Sequence, residues 1–330
     1  MYFEASLAAK ARKFFRLVLG RYAFPPNDIT LEITTRCGRG CAVCFRGPLG
    51  VEQAEMAPEL FEKILFEIRS ACGPVGPRYL NFVGLGEPFC HPGLEEFLRL
   101  AARTLPGTAL NVSTGLVPFD RNVFAGLVRD GVLNRLSVSL DTLEVDGPYH
   151  RFTGEARENL DFLAGFKKEN PGFKLRVQTL LTSLPAAEAV VRRAAAAGAD
   201  EVQLMRADLH AFGDKPPARR PGLAEEREIT AAARRLCARL GLRCNNNNSY
   251  NVFMDIASAG GRRCLASDDH IFITAAGDVL PCFRLRGEKF GSLALKPLAE
   301  ICRARAETGF YGRQRGLCAR CDIYKKGHAA

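Results

Sequence analysis

Apolar and polar positions alternate in short runs from Asp28 onward, and each run gives way to a stretch with helical spacing. The pattern predicts strands over Leu31–Thr34, Tyr79–Val83, Ala109–Ser113, Leu136–Leu140, Lys174–Leu181 and Glu201–Met205. Between them it predicts helices over Pro58–Ser70, Gly93–Arg103, Arg121–Asp130, Glu155–Lys168 and the Ala-rich Ala186–Ala197. Six βα units without hairpin signals argue for a parallel sheet with crossover helices. Six is too few to close the usual eight-stranded barrel, so the expected fold is α/β, an open partial (β/α)6 barrel with its site at the C-terminal ends of the strands.

The flanks read differently. Within 1–27, Phe3, Leu7, Lys10, Phe14, Leu17 and Val18 fall near one helical face, with Arg12, Lys13 and Arg16 interleaved, until Pro25-Pro26 ends the segment. Such a basic amphipathic helix suits a membrane surface, but packing against its own domain is the favoured reading. The barrel is assigned to 28–210. Residues 211–260 read as a linker and a helix (Leu223–Leu240), with the polar run Asn245–Asn248 as a loop. A small β-hairpin-plus-helix module is placed at 261–330: strands His270–Thr274 and Val279–Phe283 around Ala275-Ala276-Gly277-Asp278, then a helix over Leu298–Arg305.

Composition narrows the chemistry. No apolar run is long enough to span a bilayer and no signal peptide is evident, so the expected compartment is the cytoplasm. The net charge of +10 is compatible with nucleic acid, but the basic residues are spread along the chain without an aromatic-interleaved stripe. A solvated surface, or a basic face for an acidic electron-transfer partner, fits better. Twelve cysteines are many for a reducing compartment, where clustered thiols read as metal ligands before disulfides. Seven fall into two ligand-like sets. The other five (Cys72, Cys90, Cys237, Cys244, Cys302) read as small buried hydrophobes.

The first set is Cys37-x3-Cys41-x2-Cys44, in the loop after the first strand. Three thiolates at these spacings can wrap one face of a cubane [4Fe–4S] cluster and leave one iron open. A structural zinc or an electron-transfer cluster wants four protein ligands. The second set, Cys264, Cys282, Cys318 and Cys321, supplies four ligands around a hairpin and a Cys-x2-Cys turn, which is a closed site for zinc or for a cluster.

The first spacing, with its entry Leu31-Glu32-Ile33-Thr34-Thr35-Arg36-Cys37, resembles the radical S-adenosylmethionine superfamily. It departs from the family at Val43, where an aromatic residue is common before the third cysteine; Phe45 follows it instead. Gly84-Leu85-Gly86-Glu87-Pro88 closes the second strand and is similar to the family's Gly-Gly-Glu element. The resemblance implies that Gly84, Leu85, Gly86 and Glu87 lie against the methionine part of the cofactor, where glycine permits close backbone approach. Asn111–Gly115 is a partial match to Thr-Asn-Gly. Ser137-Val138-Ser139-Leu140-Asp141 resembles the Ser-x-Asp at the ribose side, which implicates Ser139 and Asp141. Arg176 on the fifth strand could reach the cofactor carboxylate, with a surface salt bridge as the equal alternative. The second cysteine set resembles the twitch module, the shortened form of the SPASM domain, which implies one auxiliary [4Fe–4S] cluster.

The resemblance covers 28–205 and 261–330. It implies an enzyme, an oxidoreductase or maturase, that reductively cleaves S-adenosylmethionine to a 5′-deoxyadenosyl radical. The radical would abstract hydrogen from a peptide or small polar substrate, with an oxidative outcome assisted by the auxiliary cluster and with electrons from a flavodoxin- or ferredoxin-type reductant. Asp255 and Cys244, near the module junction, are candidate accessory bases. No added peptide-recognition domain is evident ahead of the strand leading to Cys37, which begins by about residue 29; this mildly lowers a leader-dependent role without excluding one. Cofactor biosynthesis or enzyme maturation is the alternative within the class. A zinc or iron–sulfur nucleic-acid-binding protein is the alternative outside it.

Overall fold

The computed structural model describes residues 11, 15, 24–145, 147, 149–246 and 270–307. Strands and helices alternate through the first part: β1 (Asp28–Leu31), α1 (Pro58–Cys72), β2 (Tyr79–Phe82), α2 (Leu94–Thr104), β3 (Ala109–Thr114), α3 (Arg121–Arg129) and β4 (Arg135–Ser139). The alternation continues with α4 (Gly154–Glu169), β5 (Lys174–Leu181), α5 (Leu184–Ala196), β6 (Glu201–Arg206), α6 (Leu223–Arg239) and β7 (Arg243–Asn246). The C-terminal part contributes β8 (His270–Ile273), β9 (Asp278–Leu280), β10 (Gly291–Ser292) and α7 (Leu298–Glu307). All ten strands form one sheet in the order β10-β9-β8-β1-β2-β3-β4-β5-β6-β7. Neighbours from β8 through β7 pair in parallel.

The helices form where the sequence supplies caps and an apolar stripe. Asp120 accepts from the N–H groups of Asn122 and Val123, Thr153 from Ala156 and Ser183 from Ala186, each satisfying first-turn donors. In α1, Phe61, Ile64, Leu65 and Ile68 are buried at helical spacing. Phe61 stacks on Phe97 of α2 with ring centroids 3.9 Å apart. Alternation along the strands sends apolar side chains outward to the helices and polar ones inward. On β2, Leu80 and Phe82 are fully buried, whereas Asn81 donates to Asp28 Oδ1 at 2.6 Å. The inner polar layer continues from Asn111 to Asn81 (3.3 Å), from Ser137 to Asn111 (3.0 Å) and from Gln178 to Gln203 (2.7 Å). Buried amides and hydroxyls paired in this way avoid the cost of isolated polar groups.

Three expectations change. The first strand spans Asp28–Leu31, earlier than Leu31–Thr34; beyond it Thr34 makes only an isolated bridge to Glu55. The run beginning at Asn245 is not wholly loop, because Arg243–Asn246 is β7 beside β6. Asparagine is a poor strand former, yet β7 is the last strand of the sheet. The expected hairpin is present, with Gly277 at φ 80° between β8 and β9, but β8 also joins β1 in parallel, Asp28 opposite His270. Thr30 Oγ1 and His270 Nε2 lie 2.8 Å apart across this seam. Of the N-terminal helix, only Ala11 and Phe15 lie within the described residues, and both are helical. No helix among the described residues is long and apolar enough to cross a membrane.

Candidate active site

The loop that leaves β1 is pinned before it reaches the cysteines. Thr35 Oγ1 donates to Glu52 O and accepts from Ala54 N, both at 2.7 Å. Cys37, Cys41 and Cys44 follow, all half-buried and unbridged. Burial pushes the Cys37 and Cys41 thiols up, and Cys41 is close enough to the other two for their charges to raise it further. Opposing this, the backbone N–H of Arg39 donates to Cys37 Sγ and that of Arg151 to Cys41 Sγ. The Arg39 guanidinium favours the thiolate at both sites, and Arg46 does so at Cys37. Among the described residues no three His, Cys, Asp or Glu side chains converge on a single-ion position. Three cysteine thiols on one loop, two of them favoured as thiolates by backbone N–H groups and by the Arg39 guanidinium, are the donor chemistry of a [4Fe–4S] cluster.

The turn after β2 packs directly on this loop. A Cβ on Gly86 would stand 2.1 Å from Thr34 O, and one on Gly84 2.4 Å from Glu32 Cγ. Both glycines are therefore required by the chain's own exit from β1, before any ligand is considered. Leu85 N donates to Glu32 Oε2 at 2.8 Å, and Glu87 N to Arg36 O at 2.8 Å. The Glu87 carboxylate accepts from Gly115 N at 2.7 Å and from Phe89 N at 3.4 Å. Burial pushes this carboxyl up to about 7, although those N–H groups, the Thr114 hydroxyl and Arg39 pull the other way. Over Gly115, at the end of β3, lies the Arg39 side chain.

Ser139 ends β4 half-buried. Asp141, two residues on, is buried, accepts from Leu180 N and lies against His150 Nδ1. Desolvation and Arg39 lower His150 to about 4, so it is a neutral acceptor near neutral pH. Arg176 is committed elsewhere. It lies toward the start of β5, pairs with Glu201 at 3.2 Å with both side chains 3% exposed, and donates to Gln203. It does form a salt bridge, but a buried one and not the surface pair expected as the alternative. Burial lowers its pKa to about 10. Cys244 sits near the start of β7, hydrogen-bonded to Cys237 of α6, and is not brought to the cysteine loop. Cys282 is half-buried just after β9. Cys264, Cys318, Cys321 and Asp255 lie outside the described residues.

Several neighbours were not singled out in the sequence. Cys90 sits beside Cys37 and accepts the Gly38 N–H. Phe45, next to Cys44, meets Phe283, next to Cys282, with centroids 5.7 Å apart. Arg284 pairs with Asp208 at 2.6 Å, and Arg286 grips the buried Glu32 with both nitrogens of its fork. The one local signal was Glu32 itself, a carboxylate between Leu31 and Ile33 in an apolar run.

The SPASM family, an iron–sulfur cluster-binding domain, matches residues 264–322. The whole chain superimposes on SuiB from Streptococcus suis bound to the precursor peptide SuiA, with TM-score 0.69 and 18% identity over 98% of this chain and 77% of that one. Residues 264–322 thus match an iron–sulfur cluster-binding domain, and the chain resembles radical S-adenosylmethionine proteins that carry such a domain. The fold is also shared with anSMEcpe bound to AdoMet and the Cp18Cys peptide, at TM-score 0.63 and 14% identity over 92% of this chain and 88% of that one. At these identities the likeness is one of fold. By sequence, the chain is 29% identical over 143 residues to the tungsten-containing aldehyde ferredoxin oxidoreductase cofactor-modifying protein of Pyrococcus furiosus, covering 42% of this chain and 38% of that protein. It is 27% identical over 124 residues to the GTP 3′,8-cyclase of Chlorobaculum tepidum, covering 38% and 36%. The matched part thus spans well under half the length of either curated relative.

Proposed function

We propose that this chain is a radical S-adenosylmethionine enzyme, which binds a [4Fe–4S] cluster through Cys37, Cys41 and Cys44, and S-adenosylmethionine at the adjoining Gly84–Glu87 turn. It abstracts hydrogen from a peptide or small polar substrate, with an oxidative outcome assisted by an auxiliary [4Fe–4S] cluster on Cys264, Cys282, Cys318 and Cys321. The carrying observation is the set of three thiols after β1, supplied with N–H donors from Arg39 and Arg151. When bound, the cluster and S-adenosylmethionine supply a one-electron cleavage that yields a hydrogen-abstracting species.

The chain's own residues do the rest. Arg39 and Arg46 offset thiolate charge, and the pinned Thr34–Thr35 segment fixes where Cys37 departs. Ser139 and Asp141, at the end of β4, are placed for ribose hydroxyls. Asp141, beside the neutral His150, is the candidate acceptor for a substrate proton in preference to Cys244, whose thiol is engaged with Cys237. A peptide substrate is favoured by the fold shared with SuiB and anSMEcpe, both seen with peptides. Modification of another enzyme's cofactor is the second reading, favoured by the Pyrococcus furiosus relative. Electrons come from a flavodoxin- or ferredoxin-type reductant, which an acidic surface would bring to this basic chain.

The test is anaerobic reconstitution followed by incubation with dithionite and S-adenosylmethionine. About eight irons per chain and release of 5′-deoxyadenosine support the assignment. Zinc in place of iron, with no cleavage, refutes it.

A further inference from the structure

The Glu32 side chain is fully buried, at 0% exposure, directly under the Gly84–Glu87 turn. An ionised carboxylate is unfavourable there unless it is paired and hydrogen-bonded. Its partners come from two directions. Oε2 accepts the Leu85 N–H at 2.8 Å, and the Glu32 stem occupies the space that a Cβ on Gly84 would need. From the C-terminal module, Arg286 Nη1 donates to Oε1 at 2.7 Å while Nη2 bonds Oε2. Bidentate pairing of this kind fixes orientation as well as charge.

Arg286 is itself held. Its Nε donates to Phe283 O at 3.1 Å, and its guanidinium lies 5.5 Å from the centre of the Phe272 ring. Leu285 N donates to Cys282 O at 3.0 Å, so Cys282–Arg286 forms one tight turn. An unbroken set of contacts therefore runs from the segment bearing Cys282 through Arg286 and Glu32 to Leu85. Beyond it, Glu87 N bonds Arg36 O beside Cys37.

We propose that Arg286 and Glu32 are positioning residues for S-adenosylmethionine: Arg286 orients Glu32, Glu32 orients the Gly84–Glu87 turn, and affinity at the barrel thereby depends on the SPASM-domain segment that carries Cys282. This inference rests on reading the Gly84–Glu87 turn as part of the S-adenosylmethionine site. The dependence needs no direct contact between the module and the ligand. A displaced Glu32 would take the Leu85 amide with it, because the carboxylate and that N–H are bonded to each other.

The experiment uses the full chain, reconstituted anaerobically, with S-adenosylmethionine affinity read by equilibrium dialysis and backbone amide exchange followed at Leu85. Arg286→Gln weakens affinity about tenfold while iron content is retained. Arg286→Lys, which keeps the charge and loses the fork, gives a smaller loss. Leu85 exchange quickens in both. Arg284→Lys, at the neighbouring ion pair to Asp208, changes neither reading. If Arg286→Gln loses iron, Arg286→Lys carries the measurement. Unchanged affinity and unchanged Leu85 exchange in the Arg286 variants overturn the proposal, as does an equal loss in Arg284→Lys. A wild-type chain that binds no S-adenosylmethionine refutes the parent reading of the turn, whereas Leu85 exchange still judges the link from Arg286.

Discussion

Glu87 makes a sharp prediction because its carboxyl is wholly buried yet hydrogen-bonded. Burial moves its pKa from 4.5 to about 7 in the folded chain. Below about pH 4.5 both folded and unfolded chains hold the proton, and Glu87 costs nothing. Between pH 4.5 and 7 the unfolded chain ionises freely and the folded chain does not, so stability falls as pH rises, and the loss is complete above about 7. At about 1.4 kcal/mol per pH unit, the displacement corresponds to about 3 kcal/mol. Glu87→Gln removes the titration but keeps a carbonyl for Gly115 N, the 2.7 Å bond; its amide NH2 falls toward Phe89 N, where the existing bond is already long at 3.4 Å. The assay is urea unfolding of the iron-free, reduced chain at several pH values from 5 to 7.5. The variant should gain on the wild type by up to about 3 kcal/mol across that range. A difference between the two that stays constant with pH would falsify the assignment of a raised pKa to Glu87.

Other outcomes follow from the same contacts. Serine at Cys37, Cys41 or Cys44 should lower iron from about eight to about four per chain and abolish release of 5′-deoxyadenosine, whereas serine at Cys282 should lose iron but leave the cluster at the Cys37 loop; 5′-deoxyadenosine release at saturating S-adenosylmethionine, not iron content, separates the two. Arg176→Met strands the buried Glu201 and should cost ~3–5 kcal/mol in denaturant unfolding, much of it recovered by Arg176→Met with Glu201→Met. Gly86→Ala drives a Cβ into Thr34 O and should destabilise by more than about 2 kcal/mol, whereas Gly115→Ala displaces only the flexible end of Arg39 and should cost less than about 1 kcal/mol. Unfolding midpoints that rank the two alanines in reverse would refute the packing argument.

What the sequence reveals is what local chemistry dictates. The six βα units and the hairpin at Gly277 are each written within a few residues, so pattern and structure agree. The cysteine loop and the Gly84–Glu87 turn are legible for the same reason, since each follows its own strand. The reason glycine is needed at 84 and 86 was not legible, because the obstructing atoms belong to Glu32 and Thr34, some fifty residues away. β7 was obscured by an asparagine run whose low strand propensity is overridden by pairing with β6. His150 and Cys90 gave no motif; they matter through proximity to Asp141 and Cys37, which only the fold creates.

The boundary between barrel and C-terminal module is clear in sequence style and much less so in physics. β8 continues the parallel sheet from β1, so without it the Asp28–Leu31 strand would present an open edge. Three side-chain contacts then tie the segment after β9 to the C-terminal rim of the barrel: Phe283 to Phe45 after Cys44, Arg284 to Asp208 after β6, and Arg286 to Glu32 after β1. Arg284 and Glu32 are largely or wholly buried, so separating the parts would leave charges without partners as well as apolar surface in water. A chain cut ahead of residue 270 would therefore lose more than a cluster-binding appendage. It would lose the cation that holds Glu32 under the turn between Gly84 and Glu87. On this argument the unit that can bind S-adenosylmethionine includes the segment through Arg286 as well as the barrel.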